Sequence, residues 1–140
     1  MNPAYRPFVV VLIVAAAMAG FSFWRQRSEP KEHIAWRATL EEAKKESATT
    51  GKPVLAYFTA TWCSPCQRMK HETWPDARVE KALEGYVPVK IDVDQHQDLA
   101  RQFEVDGIPR LQVIAPDGTV GKAHVGLILP KELAGWLQAG

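Results

Sequence analysis

The only two cysteines of this chain lie three residues apart and closely follow an apolar run. Residues 61–69 read TWCSPCQRM, with Cys63 and Cys66 as the pair. Just before them, residues 54–59 form a short run rich in β-formers, which is typical of a strand buried on both faces. Residues 63–71 then show helical character. The sequence therefore predicts a strand that leads into the thiol pair and a helix that begins with it.

The chemistry of the pair follows from the start of that helix. A thiolate attacks a disulfide, whereas a thiol does not. Free backbone N–H groups and the positive end of the helix dipole would point toward the Cys63 sulfur. Pro65 suits the first turn because its missing N–H is not needed there. We therefore expect Cys63 to ionise more readily than a free thiol, and a shielded Cys66, one turn further, to resolve the mixed disulfide.

Other roles for two nearby cysteines must be weighed against this one. A zinc site needs about four ligands, and His71 is the only histidine near the pair. Covalent haem would need a histidine directly after Cys66, but residue 67 is glutamine, which excludes it. A structural disulfide that closes so short a loop gains little from chain entropy. The spacing therefore favours a redox dithiol with no metal and no cofactor, and leaves zinc and a structural disulfide as weaker alternatives.

The N-terminal segment is unusually apolar. Residues 8–24, FVVVLIVAAAMAGFSFW, carry no charge over 17 positions, which is at the short end for a membrane-spanning helix. Tyr5 and Trp24 bracket the run as interfacial aromatic residues do. A signal peptide cleaved after residues 17–19, Ala-Met-Ala, is the main alternative, and a buried core helix is another. We expect residues 1–27 to be a membrane anchor or a signal peptide.

The charges that flank this run conflict with export of the rest of the chain. Arg25, Arg27 and Lys31 follow the run, whereas Arg6 precedes it. The positive-inside rule would then keep the C-terminal part in the cytoplasm. Because translocated domains do not always follow a small imbalance of this kind, charge leaves the topology open.

The rest of the chain alternates between helical and strand-like patterns. Residues 28–33 are polar and read as a linker, and 34–140 as a single domain. Helical spacing occurs in residues 35–48, 76–83, 94–103 and 130–138, and strand-like runs occur in 86–93, 110–115 and 119–125. Pro88 indicates an edge or a bulge, and Pro116-Asp117-Gly118 predicts a hairpin turn. This order is that of an α/β domain, a mixed sheet with helices on both faces.

Composition excludes one class of partner. The chain has 140 residues, of which 46% are hydrophobic and 24% charged, with a formal net charge of +1. Such a chain has an ordinary globular composition and no basic surface signal for a nucleic acid. We expect no nucleic-acid partner.

Three features together resemble the thioredoxin-fold family over residues 34–140. They are TWCSPC after a buried strand, Ile108-Pro109 before a later strand, and the Pro-Asp-Gly hairpin. Within that family, WCSPCQRMKHETWPDARVEKAL is similar to the C-terminal thioredoxin-like domain of DsbD, a membrane reductase, and to small membrane-anchored thioredoxin-like proteins. The resemblance implies a thioredoxin fold, preceded by the N-terminal membrane helix or signal segment.

The resemblance also implies a substrate-binding surface around the thiols. Members of the family hold the bond corresponding to Ile108-Pro109 in cis, facing the cysteines, and the backbone of the residue before proline pairs with substrate. Trp62, Ser64 and Pro65 would complete this surface. The residues alone leave two alternatives open: a trans proline at a strand edge, and a core position for Trp62.

A thiol-disulfide oxidoreductase is the function that the resemblance implies, and a membrane-tethered reductase of protein disulfides is its favoured form. The Ser64-Pro65 dipeptide lacks the histidine of strongly oxidising members. Such a reductase needs an upstream thiol donor, for which a transmembrane carrier is a candidate. The implied location is the inner membrane with the domain in the periplasm, or the periplasm after signal cleavage. A disulfide oxidant or isomerase, and a non-catalytic peptide-binding module, are the alternatives.

Two positions depart from the family pattern. Many thioredoxins carry a buried acid six residues before the first cysteine, which helps to move the proton of the second one, and Tyr57 stands there in this chain. Proton transfer would then use water or Glu72. Arg110 stands where many members have threonine, and it would recruit acidic substrates, favour a nearby thiolate, or simply face outward from its strand.

Overall fold

The computed structural model describes residues 6–27 and 31–140. Two compact units divide the chain, Met1–Lys31 and Glu32–Gly140. Tyr5 and residues 28–30 of the expected linker lie outside the described residues, and so does the side chain of Trp24. The second unit contains the cysteine pair.

The N-terminal unit is a helix, α1, over Arg6–Arg27. Between residues 9 and 23, its apolar side chains, among them Val11, Leu12 and Phe21, are exposed. Across the described parts of the chain, no helix combines the length and the apolar character needed to cross a membrane. The anchor or signal peptide expected for residues 1–27 stays a prediction.

A four-stranded mixed sheet forms the centre of the second unit. Its strands are β1 Val54–Thr59, β2 Val87–Asp92, β3 Arg110–Ile114 and β4 Val120–Val125, in the order β2-β1-β3-β4. β1 pairs with β2 in parallel and with β3 antiparallel, and β3 and β4 form an antiparallel hairpin. The predicted mixed sheet and hairpin are confirmed. Pro88 lies on β2, an outer strand of this sheet, as an edge position predicts.

Helices follow in the predicted order. They are α2 Leu40–Thr50, α3 Ser64–Arg68, α4 Ala77–Leu83, α5 Gln97–Gln102 and α6 Pro130–Gln138. A π-helical turn, Met69–Thr73, continues directly from α3.

Two helices begin later in the structure than the apolar spacing of the sequence predicts. α2 begins at Leu40 rather than residue 35, because Thr39 caps it by accepting the N–H of Glu42 at 3.1 Å. α5 begins at Gln97 rather than residue 94 because the chain first turns around Asp92. In both cases a polar side chain that binds the backbone sets the boundary, and the apolar spacing alone does not show it.

β1 is buried on both faces, as its sequence predicts. Val54, Ala56 and Phe58 belong to one apolar cluster, shared with α2 and Phe103. Leu55 and Tyr57 belong to the opposite cluster, shared with α4 and α6. Because the strand is packed from both sides, its carboxyl end is a rigid base for the segment that carries the cysteines.

Candidate active site

Cys63 is the residue that starts α3. Its backbone is extended, and its sulfur accepts the N–H of Cys66 at 3.3 Å, so it is the N-cap of the helix. Pro65 lies in the first turn. The predicted start of the helix at the first cysteine is confirmed. The same geometry directs helix N–H groups toward the Cys63 sulfur, where they would stabilise negative charge.

The two cysteines form a disulfide with Cα atoms 5.2 Å apart. Both residues are buried, Cys63 being 3% exposed and Cys66 2%. They pack with Ala60 against Val93 and Ile108. The disulfide thus lies just below the surface, with apolar side chains around it.

The helix after the pair is less regular than its sequence predicts. α3 ends at Arg68, and the next five residues form the π-helical turn. Met69 and Thr73 of this turn are buried, and Thr73 Oγ1 donates to the carbonyl of Ile128 at 2.8 Å. The wider turn places these side chains in the core, where Thr73 contacts a residue 55 positions later in the sequence.

The Ile108-Pro109 bond is cis and faces the cysteines. Ile108 packs against the cluster of Ala60, Cys63 and Cys66. The carbonyl of Pro109 accepts the N–H of Gly126 at 2.8 Å, which ties this loop to the end of β4. The cis bond that the resemblance implies is confirmed, and a trans proline is excluded in this structure.

Trp62 lies at the surface beside the disulfide. It is 67% exposed, and its indole Nε1 donates to Asp94 Oδ2 at 2.8 Å. The alternative of a core tryptophan is therefore wrong. A groove runs from the indole past the loop before the cis bond, lined by Trp62, Val93, Val105, Asp106, Gly107 and Ile108. Asp94 was missed in the sequence analysis because no local pattern links it to a tryptophan 32 residues earlier.

A second cavity lies on the other side of the disulfide, next to Cys66. Its volume is about 280 Å³. Burial raises the pKa of Tyr57, one of its lining residues, above the ordinary value for a tyrosine. The cavity is lined by Tyr57, Thr59, Ala60, Thr61, Cys66, Gln67, Lys70, Trp74, Lys90 and Asp92. Lys90 and Asp92, both on β2, were not among the candidate residues of the sequence analysis.

The structure shows what Arg110 and Glu72 contact. Arg110 does not face outward: its side chain is 17% exposed, with Nη2 donating to Gln112 Oε1 at 3.1 Å and Nη1 lying 3.8 Å from Asp106. An arginine held in this way has little surface to offer an acidic substrate. Glu72 pairs with Arg68 at 3.0 Å and is not among the residues that line the Cys66 cavity.

In the described ranges, no group of three or more histidine, cysteine, aspartate or glutamate residues could hold a metal ion.

Comparison with known proteins identifies the family. A family model described as thioredoxin-like matches residues 35–116, more than half of the chain. Thioredoxin of Mycobacterium tuberculosis is 40% identical over 93 residues, which cover 64% of this chain and 78% of that protein. The thiol:disulfide interchange protein DsbD of Campylobacter jejuni is 32% identical over 76 residues, which cover 51% of this chain but only 13% of DsbD.

Solved structures support the same assignment. The reduced C-terminal domain of DsbD from Neisseria meningitidis is 25% identical, with a TM-score of 0.63 over 71% of this chain and 92% of that domain. Because the family match, the sequence relatives and the fold agree, this chain belongs to the thioredoxin-like family, as a thiol-disulfide oxidoreductase with a Cys63–Cys66 pair.

Proposed function

We propose that this protein is a reductase of protein disulfides, with Cys63 as the nucleophile and Cys66 as the resolving cysteine. The observation that carries the proposal is the position of the Cys63 sulfur at the start of α3, where it accepts the N–H of Cys66. A thiolate at that position would be stabilised by the helix N-terminus. Cys66 is the third residue of α3, where it is close to Cys63 but less favoured as an anion.

The reaction has two steps of thiol-disulfide exchange. The Cys63 thiolate attacks one sulfur of a substrate disulfide, so a Cys63–substrate disulfide forms and the other substrate sulfur leaves as a thiolate. The Cys66 thiol then loses its proton and attacks the Cys63 sulfur. The second substrate sulfur leaves with the electron pair, and the substrate is reduced while the Cys63–Cys66 disulfide forms. An upstream thiol donor would return the pair to the dithiol.

The substrate would lie across the groove beside the disulfide. Ile108 packs against the cysteines, where its backbone would pair with an extended peptide. Trp62 supplies exposed apolar surface on one side. Ser64 and Pro65 are exposed between the two cysteines and would contact the substrate there, with buried Pro109 fixing the loop opposite.

The direction of electron flow and the location belong to the same proposal. The absence of a histidine between the cysteines and the likeness to DsbD favour reduction. We propose that residues 34–140 act in the periplasm after a linker, 28–33, with residues 1–27 as a signal peptide or membrane tether. A transmembrane thiol carrier would be the donor, and proteins with disulfides the substrates.

Reduction of insulin and the redox equilibrium with glutathione test this proposal. We expect dithiol-driven reduction of insulin by the protein and its loss in Cys63→Ser, with Thr49→Ser, at an exposed position of α2 outside the site, as a control that retains activity. We expect a reduction potential near the value of about −270 mV for thioredoxin rather than about −120 mV for a strong oxidant. A potential near the second value would identify an oxidant, and undiminished activity of Cys63→Ser would contradict the mechanism.

A further inference from the structure

The second step of exchange needs an acceptor for the proton of Cys66. Cys66 is 2% exposed, so its thiol has little direct access to bulk water. In this chain Tyr57 occupies the β1 position at which many thioredoxins carry an acid. Burial raises the pKa of its hydroxyl, which therefore stays protonated and accepts no proton at neutral pH.

The cavity beside Cys66 connects the thiol with other polar groups. Its volume of about 280 Å³ is enough for several water molecules. Trp74 Nε1, which belongs to a fully buried residue of the lining, makes no hydrogen bond of ordinary geometry to the described residues, and the Tyr57 hydroxyl is the polar group beside it. A buried indole N–H of this kind favours a hydrated cavity over an apolar one.

Among the residues that the structure describes, Asp92 is the only carboxylate that lines this cavity. The other charged lining groups are the ammonium groups of Lys70 and Lys90. An ammonium group only donates hydrogen bonds and carries no lone pair that could accept a proton. Thr59, Thr61 and Gln67 are neutral, and their oxygen atoms are weak bases. Within the described lining, the group that can accept a proton therefore lies at the end of β2 rather than on β1.

The backbone holds Asp92 in place. Its Oδ1 accepts the N–H groups of Asp94 at 2.9 Å and Gln95 at 3.3 Å, so the carboxylate is fixed in the turn that follows β2. In the sheet, Asp92 is the register partner of Thr59, the last residue of β1 before the cysteine segment. Oδ1 is used by the turn, and the residue also lines the cavity beside Cys66.

We propose that Asp92 accepts the Cys66 proton through water in this cavity, an inference that rests on the proposed function. In the mixed disulfide, the Cys66 S–H bond breaks and its proton passes to the Asp92 carboxylate. The Cys66 thiolate forms a bond to the Cys63 sulfur, and the bond between Cys63 and the substrate sulfur breaks. The leaving thiolate takes the electron pair, and Asp92 returns the proton to water.

The charges around Asp92 are compatible with this role. Lys70 on the π-helical turn and Lys90 on β2 bring positive charge to the cavity. The ammonium group of Lys90 donates to Glu32 at 3.4 Å and lies over the Trp36 ring. Asp94 is in the following turn, where it binds Trp62. His96 also follows, and its backbone N–H donates to the Asp92 carbonyl.

Release of thionitrobenzoate from an aromatic disulfide separates the two steps. With the full-length reduced protein and 5,5′-dithiobis(2-nitrobenzoate), attack by Cys63 releases the first equivalent and resolution by Cys66 the second. In Asp92→Asn, we expect an unchanged first phase and a second phase slower by about tenfold or more at neutral pH. The slowing should diminish as the pH rises, because hydroxide then removes the Cys66 proton directly.

Further variants distinguish a role of Asp92 in proton transfer from a loss of folding. Asparagine keeps an oxygen that can accept the two turn hydrogen bonds, and Asp92→Ser provides a second variant if Asp92→Asn does not fold. Glu72→Gln, outside the cavity, should leave both phases unchanged. An unchanged second phase in Asp92→Asn, or equal slowing of both phases at every pH, would overturn the role of Asp92 alone. No release by the wild-type protein would overturn the proposed function as well.

Discussion

Trp62 and Cys63 are adjacent in the chain but lie in opposite environments. Trp62 is 67% exposed and Cys63 3%. Cys63 turns inward because it starts α3 and packs on Ala60 and Ile108, whereas the indole of Trp62 is held outside by Asp94. A large apolar contact surface therefore lies directly beside a shielded disulfide, which is the arrangement a peptide-binding redox site needs.

Glu104 adopts a backbone conformation that L side chains rarely adopt. Its φ is 50°, just after the end of α5, where glycine is the preferred residue. We expect Glu104→Gly to raise the free energy of unfolding by about 0.5–1 kcal/mol, because glycine removes the steric cost of this conformation. Urea unfolding of the purified variant measures the change.

Glu84→Gly is the matched control for this prediction. Glu84 also follows a helix, α4, but has an ordinary φ of −58°. Glycine there should leave stability unchanged or lower it, since it only adds freedom to the unfolded chain. Equal changes in the two variants would show that the conformation of Glu104 carries no cost.

α3 is too short to be stable as an independent helix. It has five residues, and isolated helices shorter than about 12–15 residues are marginal in water. The π-helical turn that follows anchors it through buried Met69 and the Thr73 hydrogen bond to Ile128. The position of the Cys63 sulfur at a helix start therefore depends on tertiary contacts of the turn behind it.

Asp76 caps α4 and gives that helix a pH-dependent contribution to stability. Its carboxylate accepts the N–H of Arg78 at 2.9 Å and pairs with the guanidinium of the same residue, which lowers the Asp76 pKa from 3.8 to about 2. Because the folded-state pKa is the lower one, this contribution is complete above the unfolded pKa of about 4. It is lost as the pH falls through about 2.

The variant Asp76→Asn isolates this contribution, since asparagine keeps a capping oxygen but has no charge. We expect the wild-type protein to have a higher urea midpoint than the variant above pH 4, and the difference to shrink below pH 4 and vanish once the pH falls through about 2. Asp98→Asn, in the first turn of α5, is the control. A difference that stays constant down to pH 2 would contradict the assignment.

The site is assembled from segments far apart in the chain. The ends of β1 and β2, the start of α3 and the loop before β3 all meet at one end of the sheet. Two apolar clusters on the opposite faces of β1 hold these segments in register. All of the clusters and all of the site residues lie within Glu32–Gly140.

Removal of residues 1–31 should therefore change where the protein is located but not its stability or its thiol-disulfide exchange. We expect residues 32–140 to keep the urea midpoint of the full chain and both phases of thionitrobenzoate release, because the cores and the cysteine pair remain. If residues 1–27 act as a tether, the full chain should sediment with membranes and the shortened chain should not. A large loss of stability or exchange in the shortened chain would show that the first unit contributes to the fold.

Local patterns in the sequence were sufficient for the order of elements and for the redox pair. The apolar run of β1 and the turn around Gly118 are short-range signals, and each produced the predicted element. The start of α3 at Cys63 was equally predictable, because a helix start depends on residues within one turn. The resemblance to thioredoxin-fold proteins supplied the cis bond at Ile108-Pro109, which spacing alone left open.

Tertiary structure decided which charged groups surround the thiols. No periodicity relates Asp92 or Lys90 to Cys66, because their meeting depends on the parallel pairing of β1 with β2. Glu72 is only six residues from Cys66 and was therefore a plausible proton acceptor for it. In the folded chain, however, Glu72 pairs with Arg68. Sequence by itself thus determined the reactive pair and its strand-helix frame, whereas contacts between distant strands determined where its proton can go.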